Sequence, residues 1–240
     1  MAAEKPRSVV LLSGGMDSGV CAALAARDTE AAALHISYGQ RTEDRERRAF
    51  EAICDRLGIS RRLAIRNEAL RLVGGSALTD PAIDVPEIKI HGAGEHNKIG
   101  AGPIPVTYVP FRNAHFLAAA VSWAEVLEAD RVYIGAVEQD SSGYPDCRPA
   151  YYRAFNEVVK AGTREGKIKI VTPLITLRKV EIVKLGLEVK APFDLTWSCY
   201  SREDRACGVC ESCVLRLRAF DEAGAQDPIP YAEQAAGHRI

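Results

Sequence analysis

Ser13-Gly14-Gly15-Met16-Asp17-Ser18 follows the apolar run Val9-Val10-Leu11-Leu12 and leads into residues 17–27, where Val20, Cys21, Leu24 and Ala25 recur at helical spacing. The order is strand, glycine turn, helix. Paired glycines let the backbone turn tightly and let an anion come close. The helix that follows presents free backbone N–H groups and the positive end of its dipole. The hydroxyls of Ser13 and Ser18 add donors, and together these groups form a concave anion nest. The lysine of a GxxxxGK[ST] loop is missing, which argues against transfer of a terminal phosphoryl group. A plain glycine turn with Asp17 as helix cap is the simpler alternative. The whole hexapeptide in its strand–turn–helix setting favours phosphate binding.

Outward from this loop the chain alternates. Residues 31–36 read as a second apolar strand, 42–57 as a charged amphipathic helix and 62–65 as a third short strand. Residues 113–127 read as an apolar helix, 131–136 as a strand, 151–160 as helical, 168–171 as a strand and 179–187 as a short helix, with a last helix near 214–220. This alternation predicts an α/β fold, a parallel sheet covered by helices. Residues 73–110, rich in glycine and proline, break the pattern and read as a mobile lid or substrate loop. The expected organisation is one domain over residues 1–195 and a small cysteine-bearing region over 196–240, with no internal repeats.

Composition narrows the function. The 240 residues are 47% hydrophobic and 26% charged, with a formal net charge of -1. Such a balance speaks for a small-molecule substrate and against direct binding to nucleic acid. Arg45, Arg47 and Arg48 alternate with Glu43, Asp44 and Glu46, which reads as a mixed solvated helix face. No stretch reaches the roughly 20 apolar residues of a membrane helix. The N-terminal segment lacks a signal-peptide core, so a cytoplasmic location is expected.

Of seven cysteines, Cys21, Cys54 and Cys147 are scattered, and Cys199, Cys207, Cys210 and Cys213 cluster. An odd count fits a reduced compartment. Four thiolates at this spacing suit a tetrahedral zinc ion, and Gly208 allows the tight turn between Cys207 and Cys210. Four sulfurs leave no open coordination position, so the expected site is structural, with one Zn2+ per chain tying down a C-terminal loop. Two disulfides, an iron–sulfur cluster or a redox pair are the alternatives; spacing alone does not exclude the cluster.

Other residues carry weaker signals. Asn113 suits a helix N-cap, and the fork of Arg112 suits a phosphate or carboxylate, with an ordinary surface arginine as the alternative. Tyr144, Asp146 and Arg148 lie in the stretch after a parallel strand, where open α/β sheets bind ligands. A ring, a carboxylate and a guanidinium there could stack on a purine-like substrate and pair with its edge; an ordinary turn is the alternative. Cys147 reads as a packing residue. Lys179, at a helix start, either reaches phosphate or snorkels. His91 and His96 read as solvated loop residues, and Phe111, Phe116 and Trp123 as core.

SGGMDS resembles the signature of the PP-loop ATP pyrophosphatases, which split ATP between its α- and β-phosphates. The resemblance implies a Rossmann-like, adenine nucleotide alpha-hydrolase-like fold with helices on both faces of the sheet. It implies that Ser13, Gly14, Gly15, Asp17 and Ser18 hold the pyrophosphate portion, with Leu12, Met16, Gly19 and Arg112 completing the ATP site. Asp17 would act through Mg2+, and Asp17, Ser18 and Lys179 are the candidate catalytic residues.

Further pieces in one order resemble the QueC family: YGQR (38–41), YVPFRNAHFL (108–117), DSSGYPDCR (140–148), TPLITLRKVEI (172–182), TWSCY (196–200), CGVCESC (207–213) and DPIPY (227–231). This resemblance implies an ATP-dependent carbon–nitrogen ligase of queuosine biosynthesis. The implied reaction turns 7-carboxy-7-deazaguanine and ammonia into a nitrile through an adenylated acid, an amide and an adenylated amide. AMP and pyrophosphate are released, free ammonia is the nitrogen source, and the enzyme is a homodimer. A divergent PP-loop amide synthetase, a tRNA thiolase, a deazaguanine-transferring paralogue and a binding module with a vestigial loop are the competing readings.

Overall fold

The computed structural model of the chain describes residues 5–88, 104–138 and 143–232. Successive side chains of a strand point to opposite faces of its sheet. In β1 (Arg7–Leu11), Val9 and Leu11 enter one core while Val10, followed by Leu12, enters the other. A strand buried on both faces needs the unbroken apolar run seen here, so β1 lies at the centre. β2 (Glu30–Ser37) and β4 (Arg131–Ile134) flank it, with β3 (Arg62–Arg66) outside β2 and β5 (Lys169–Val171) outside β4. The sheet runs β3-β2-β1-β4-β5 and every pairing is parallel.

Helices cover both faces. On the Val10 side, α1 (Met16–Asp28), α2 (Glu43–Leu57), α6 (Lys179–Glu188) and α7 (Glu211–Glu222) bring Val20, Phe50, Ile53, Ile182 and Phe220 into one core. On the Val9 side, α4 (Arg112–Val126) and α5 (Pro149–Gly162) contribute Leu117, Ala120, Tyr152 and Val159. The short α3 (Glu68–Val73) follows β3. The chain winds outward one way through β2 and β3 and the other way through β4 and β5. The reversal between β1 and β4 opens a crevice at their C-terminal ends, the place where such sheets bind ligands. Among the described residues no helix is long and apolar enough to cross a membrane.

The expected elements are present with shifted ends. β4 stops at Ile134, two residues before its expected end, because Gly135 turns away against the phosphate loop. His91 and His96 lie outside the described residues. The described flanks of the expected 73–110 loop are anchored. The Arg41 guanidinium donates to the carbonyls of Ala77 (2.7 Å) and Ile83 (2.7 Å), and the Ile88 N–H donates to the Val209 carbonyl at 2.8 Å.

His35 on β2 is fully buried, and its Nδ1–H donates to the Leu12 carbonyl at 3.1 Å, so Nε2 accepts from the Ser37 hydroxyl at 3.3 Å. Burial pushes its pKa down to about 4. The unfolded ring protonates below about 6.5, so stability held above that pH is lost as pH falls toward 4. In urea titrations the advantage of wild type over His35→Asn shrinks by about 3 kcal/mol across that window. A pH-independent difference would mean that the folded ring takes up its proton at the same pH as the unfolded one.

Candidate active site

A cavity of about 280 Å³ opens at the C-terminal ends of β1, β2 and β4. The phosphate loop forms its floor. Gly14 has φ 94°, and a Cβ there would lie 2.6 Å from the Glu46 carbonyl oxygen, so only glycine fits. Gly15 caps α1 without a side-chain acceptor, which leaves first-turn N–H groups for an anion. Asp17 is therefore in the first turn and is not the cap. The loop is braced from within: the Gly15 N–H donates to Ser13 Oγ (3.2 Å), Ser13 Oγ meets Ser18 Oγ (3.0 Å) and the Ser18 hydroxyl donates to the Gly15 carbonyl (3.0 Å).

Lys179, the first residue of α6, donates from Nζ to Asp17 Oδ2 at 2.5 Å. Asp17 Oδ1 is buried and has no partner. A carboxylate oxygen left unpaired beside an anion nest is a place for a cation shared with phosphate.

Gly135 was not singled out in the sequence. A Cβ there would lie 2.8 Å from the Asp17 carbonyl oxygen and 2.9 Å from the Ser18 nitrogen, both backbone atoms. Gly135→Ala should displace the loop and weaken its hold on pyrophosphate by at least about tenfold, the worth of one hydrogen bond to a charged group. Titration calorimetry with pyrophosphate checks this; an unchanged affinity would show that the loop tolerates the shift.

Arg112 opens α4. Its Nη1 donates to the Tyr38 hydroxyl at 2.9 Å, its guanidinium carbon lies 5.5 Å from the Tyr38 ring centre and 5.8 Å from that of Phe116, and its Nε is buried without a partner. Asn113 is not the N-cap: Phe111 takes that position with φ 57°. The reason is Asp146, whose Oδ2 accepts from the Asn113 N–H (3.0 Å) and whose carbonyl accepts from the Asn113 side chain (3.0 Å). A carboxylate at a helix N-terminus is favoured by the dipole, and Asp146 thereby fixes the start of α4 and Arg112 with it.

Tyr144 lines the cavity and donates its hydroxyl to Thr107 Oγ1 at 2.9 Å. Asp146 is buried behind the cavity wall with Oδ1 unpartnered, and Arg148 is exposed at the cap of α5, outside the cavity lining. Cys147 touches the cavity, but burial pushes its thiol up to about 11, so it is a poor nucleophile.

Glu46 corrects the reading of its helix as a solvated face. It points into the cavity, whereas its neighbours Arg45 and Arg48 meet the Trp197 ring and Glu203. Tyr38, Gln40, Phe116 and Tyr200 also line the cavity.

The Sγ atoms of Cys199, Cys207, Cys210 and Cys213 all lie within 4.8 Å of one another, so the four can hold a metal ion. Backbone N–H groups of Ser201, Cys207 and Cys210 point at these sulfurs at 3.3–3.4 Å. The cysteine region shares its core with the sheet and walls the cavity with Trp197, Ser198 and Leu215. The Trp197 N–H donates to the Gly14 carbonyl at 2.8 Å. The buried Arg216 pairs with Asp227 at 2.7 Å and donates to Thr196 Oγ1 at 2.7 Å.

Comparison with known proteins agrees with this architecture. Residues 7–224 match the model of the family described as queuosine biosynthesis protein QueC. A 7-cyano-7-deazaguanine synthase of Koribacter versatilis is 65% identical over 235 residues, covering 97% of this chain and 96% of the relative. One of Acidobacterium capsulatum is 64% identical over 234 residues, covering 98% of this chain and 100% of the relative. One of Chloroherpeton thalassium is 56% identical over 227 residues, covering 94% and 96%. With its phosphate loop, its cysteine cluster and nearly its whole length matched, the chain belongs to the QueC family.

Proposed function

We propose that the protein makes 7-cyano-7-deazaguanine from 7-carboxy-7-deazaguanine, ammonia and ATP. The observation that carries this reading is the unpartnered Asp17 oxygen beside an open helix N-terminus, in a chain closely similar to relatives bearing that synthase name. The donor set fits Mg2+: Asp17 would hold the ion, which would neutralise the phosphates of ATP.

The chain's own groups divide the remaining work. The loop N–H groups and the hydroxyls of Ser13 and Ser18 take the pyrophosphate portion. Lys179, held by Asp17, places an ammonium at the phosphate chain. Arg112 turns its unpaired Nε and its fork toward a substrate carboxylate or phosphate. Tyr144 gives the deazapurine a ring to stack on, and Asp146 acts by holding Arg112 in place. Arg148 lies outside the cavity and has no role in this reading. The chemistry has a clear logic. Hydroxide and oxide leave carbon poorly, whereas AMP leaves well, so each oxygen of the acid must first be adenylated.

The four thiolates hold structural zinc in this reading. Cys207 and Cys213 Sγ lie 3.9 Å apart. Tetrahedral arms of about 2.3 Å give an edge of about 3.8 Å. A four-iron cluster puts each thiolate on its own iron and spreads the sulfurs farther apart. In this reading the working enzyme is cytoplasmic, and it is a homodimer, as the family resemblance implies.

Mass spectrometry of protein incubated with ATP, Mg2+, ammonium and 7-carboxy-7-deazaguanine tests the assignment. The expected products are the nitrile, AMP and pyrophosphate. Reaction that stops at the amide would make it an amide synthetase, and no ATP consumption by folded, metal-loaded protein would overturn the substrate.

A further inference from the structure

We infer that Glu46 accepts the protons that the nitrogen must lose as amide and then nitrile form. The inference rests on the synthase reading above. It starts from where α2 puts this side chain. The Glu46 carbonyl abuts Gly14, so the residue's backbone is tied to the phosphate loop. Glu46 lines the same cavity as Lys179 and Arg112. Oε1 accepts from the Thr42 hydroxyl at 3.0 Å and Oε2 from the Gln40 amide at 2.9 Å. Both donors are neutral, and a carboxylate oxygen has a further lone pair after accepting one bond. The carboxylate is thus fixed in direction with capacity left for a proton.

The groups facing Glu46 set its proton affinity. Arg112 on α4 favours the charged form, Glu43 on its own helix disfavours it, and the Tyr38 phenol before α2 is neutral. Burial outweighs the rest and pushes the pKa up to about 7. Asp17 is already matched to Lys179. Among the described residues Glu46 is the cavity-lining carboxylate left to work as a base near neutral pH.

The proton balance follows. Ammonia forms an N–C bond with the acyl-adenylate, the C–O bond to AMP breaks, and one proton of the resulting ammonium passes to Glu46. The amide oxygen then bonds to the α-phosphorus of a second ATP, pyrophosphate leaves, and an N–H proton is lost. Finally the C–O electrons depart with AMP, the carbon–nitrogen triple bond forms, and the last N–H proton goes to the base. Between steps Glu46 returns its proton to solvent.

Three readouts on wild type, Glu46→Gln and Glu46→Asp test this. Acid-dependent exchange of radiolabelled pyrophosphate into ATP reports adenylation, which removes no nitrogen proton. Nitrile formation from the amide avoids the titration of ammonia. Its pH profile reports the base. Glu46→Gln should keep exchange within a few-fold of wild type and lose about 10²- to 10⁴-fold in nitrile formation. Its profile should lack the fall in rate below about pH 7 expected of wild type. Glu46→Asp, which keeps a carboxylate, should recover part of the rate and the fall. Full-rate nitrile formation by Glu46→Gln overturns the inference, as does equal loss of exchange in both variants, which would make Glu46 a binding or folding residue. Wild type that supports no exchange overturns the synthase reading and this assignment with it.

Discussion

Asp17→Ala abolishes ATP-dependent pyrophosphate release while leaving the protein folded. The carboxylate serves two groups at once. One oxygen accepts from Lys179 at 2.5 Å, and the other is buried without a partner, where the proposed reading puts the cation. Removing both functions from the point where charge develops should cost at least about a thousandfold in turnover, or about 4 kcal/mol of barrier. Stability should change little, because Asp17→Ala also removes a buried carboxylate oxygen that has no partner, which offsets the loss of the pairing with Lys179. Without Mg2+ the variant should bind pyrophosphate more tightly than wild type, since a negative charge has left an anion nest. Calorimetry checks that sign, and Asp17→Asn should share the kinetic loss. Retained turnover would remove Asp17 from the mechanism.

Cys210→Ser has the second large effect, on the fold. Cys210 is 1% exposed, caps α7 and lies in the core that joins the cysteine region to the sheet. Losing one of four thiolates should lower bound metal well below one per chain and cost several kcal/mol of stability. The Trp197 bond to Gly14 carries that loss toward the phosphate loop, so initial rates should hold at low temperature and collapse on warming, with the structure. Elemental analysis with thermal melts checks the prediction. A metal-free protein with full stability would show that the cluster ties nothing down.

How much of this was readable in the chain depends on the range of the interaction. The strand–turn–helix at residues 7–28 was legible because strand, paired glycines and helix are adjacent in the sequence. The cysteine cluster was legible because CxxC spacing at a turn brings thiols together. Glu46 was hidden: in a run of alternating charges nothing local marks the one carboxylate that turns inward. Asn113 looked like a cap by residue type, but Asp146, thirty-three residues away, supplies the acceptor. Gly135 gave only the signal of a glycine after a strand, and its importance comes from Asp17 and Ser18, more than a hundred residues earlier. Periodicity reports which side chains face inward and is silent about what they meet. For the same reason the sequence, which set residues 196–240 apart as a cysteine-bearing region, gave no sign that Trp197, Ser198 and Arg216 line the cavity.

The most direct test of adenylation follows the oxygens of the acid. The protein would be incubated with ATP, Mg2+, ammonium and 7-carboxy-7-deazaguanine carrying heavy oxygen at both carboxylate positions, and the products weighed. Adenylation at the phosphate loop sends each labelled oxygen out on an AMP and leaves pyrophosphate unlabelled. Heavy oxygen in inorganic phosphate, or nitrile formed alongside unlabelled AMP, would contradict it.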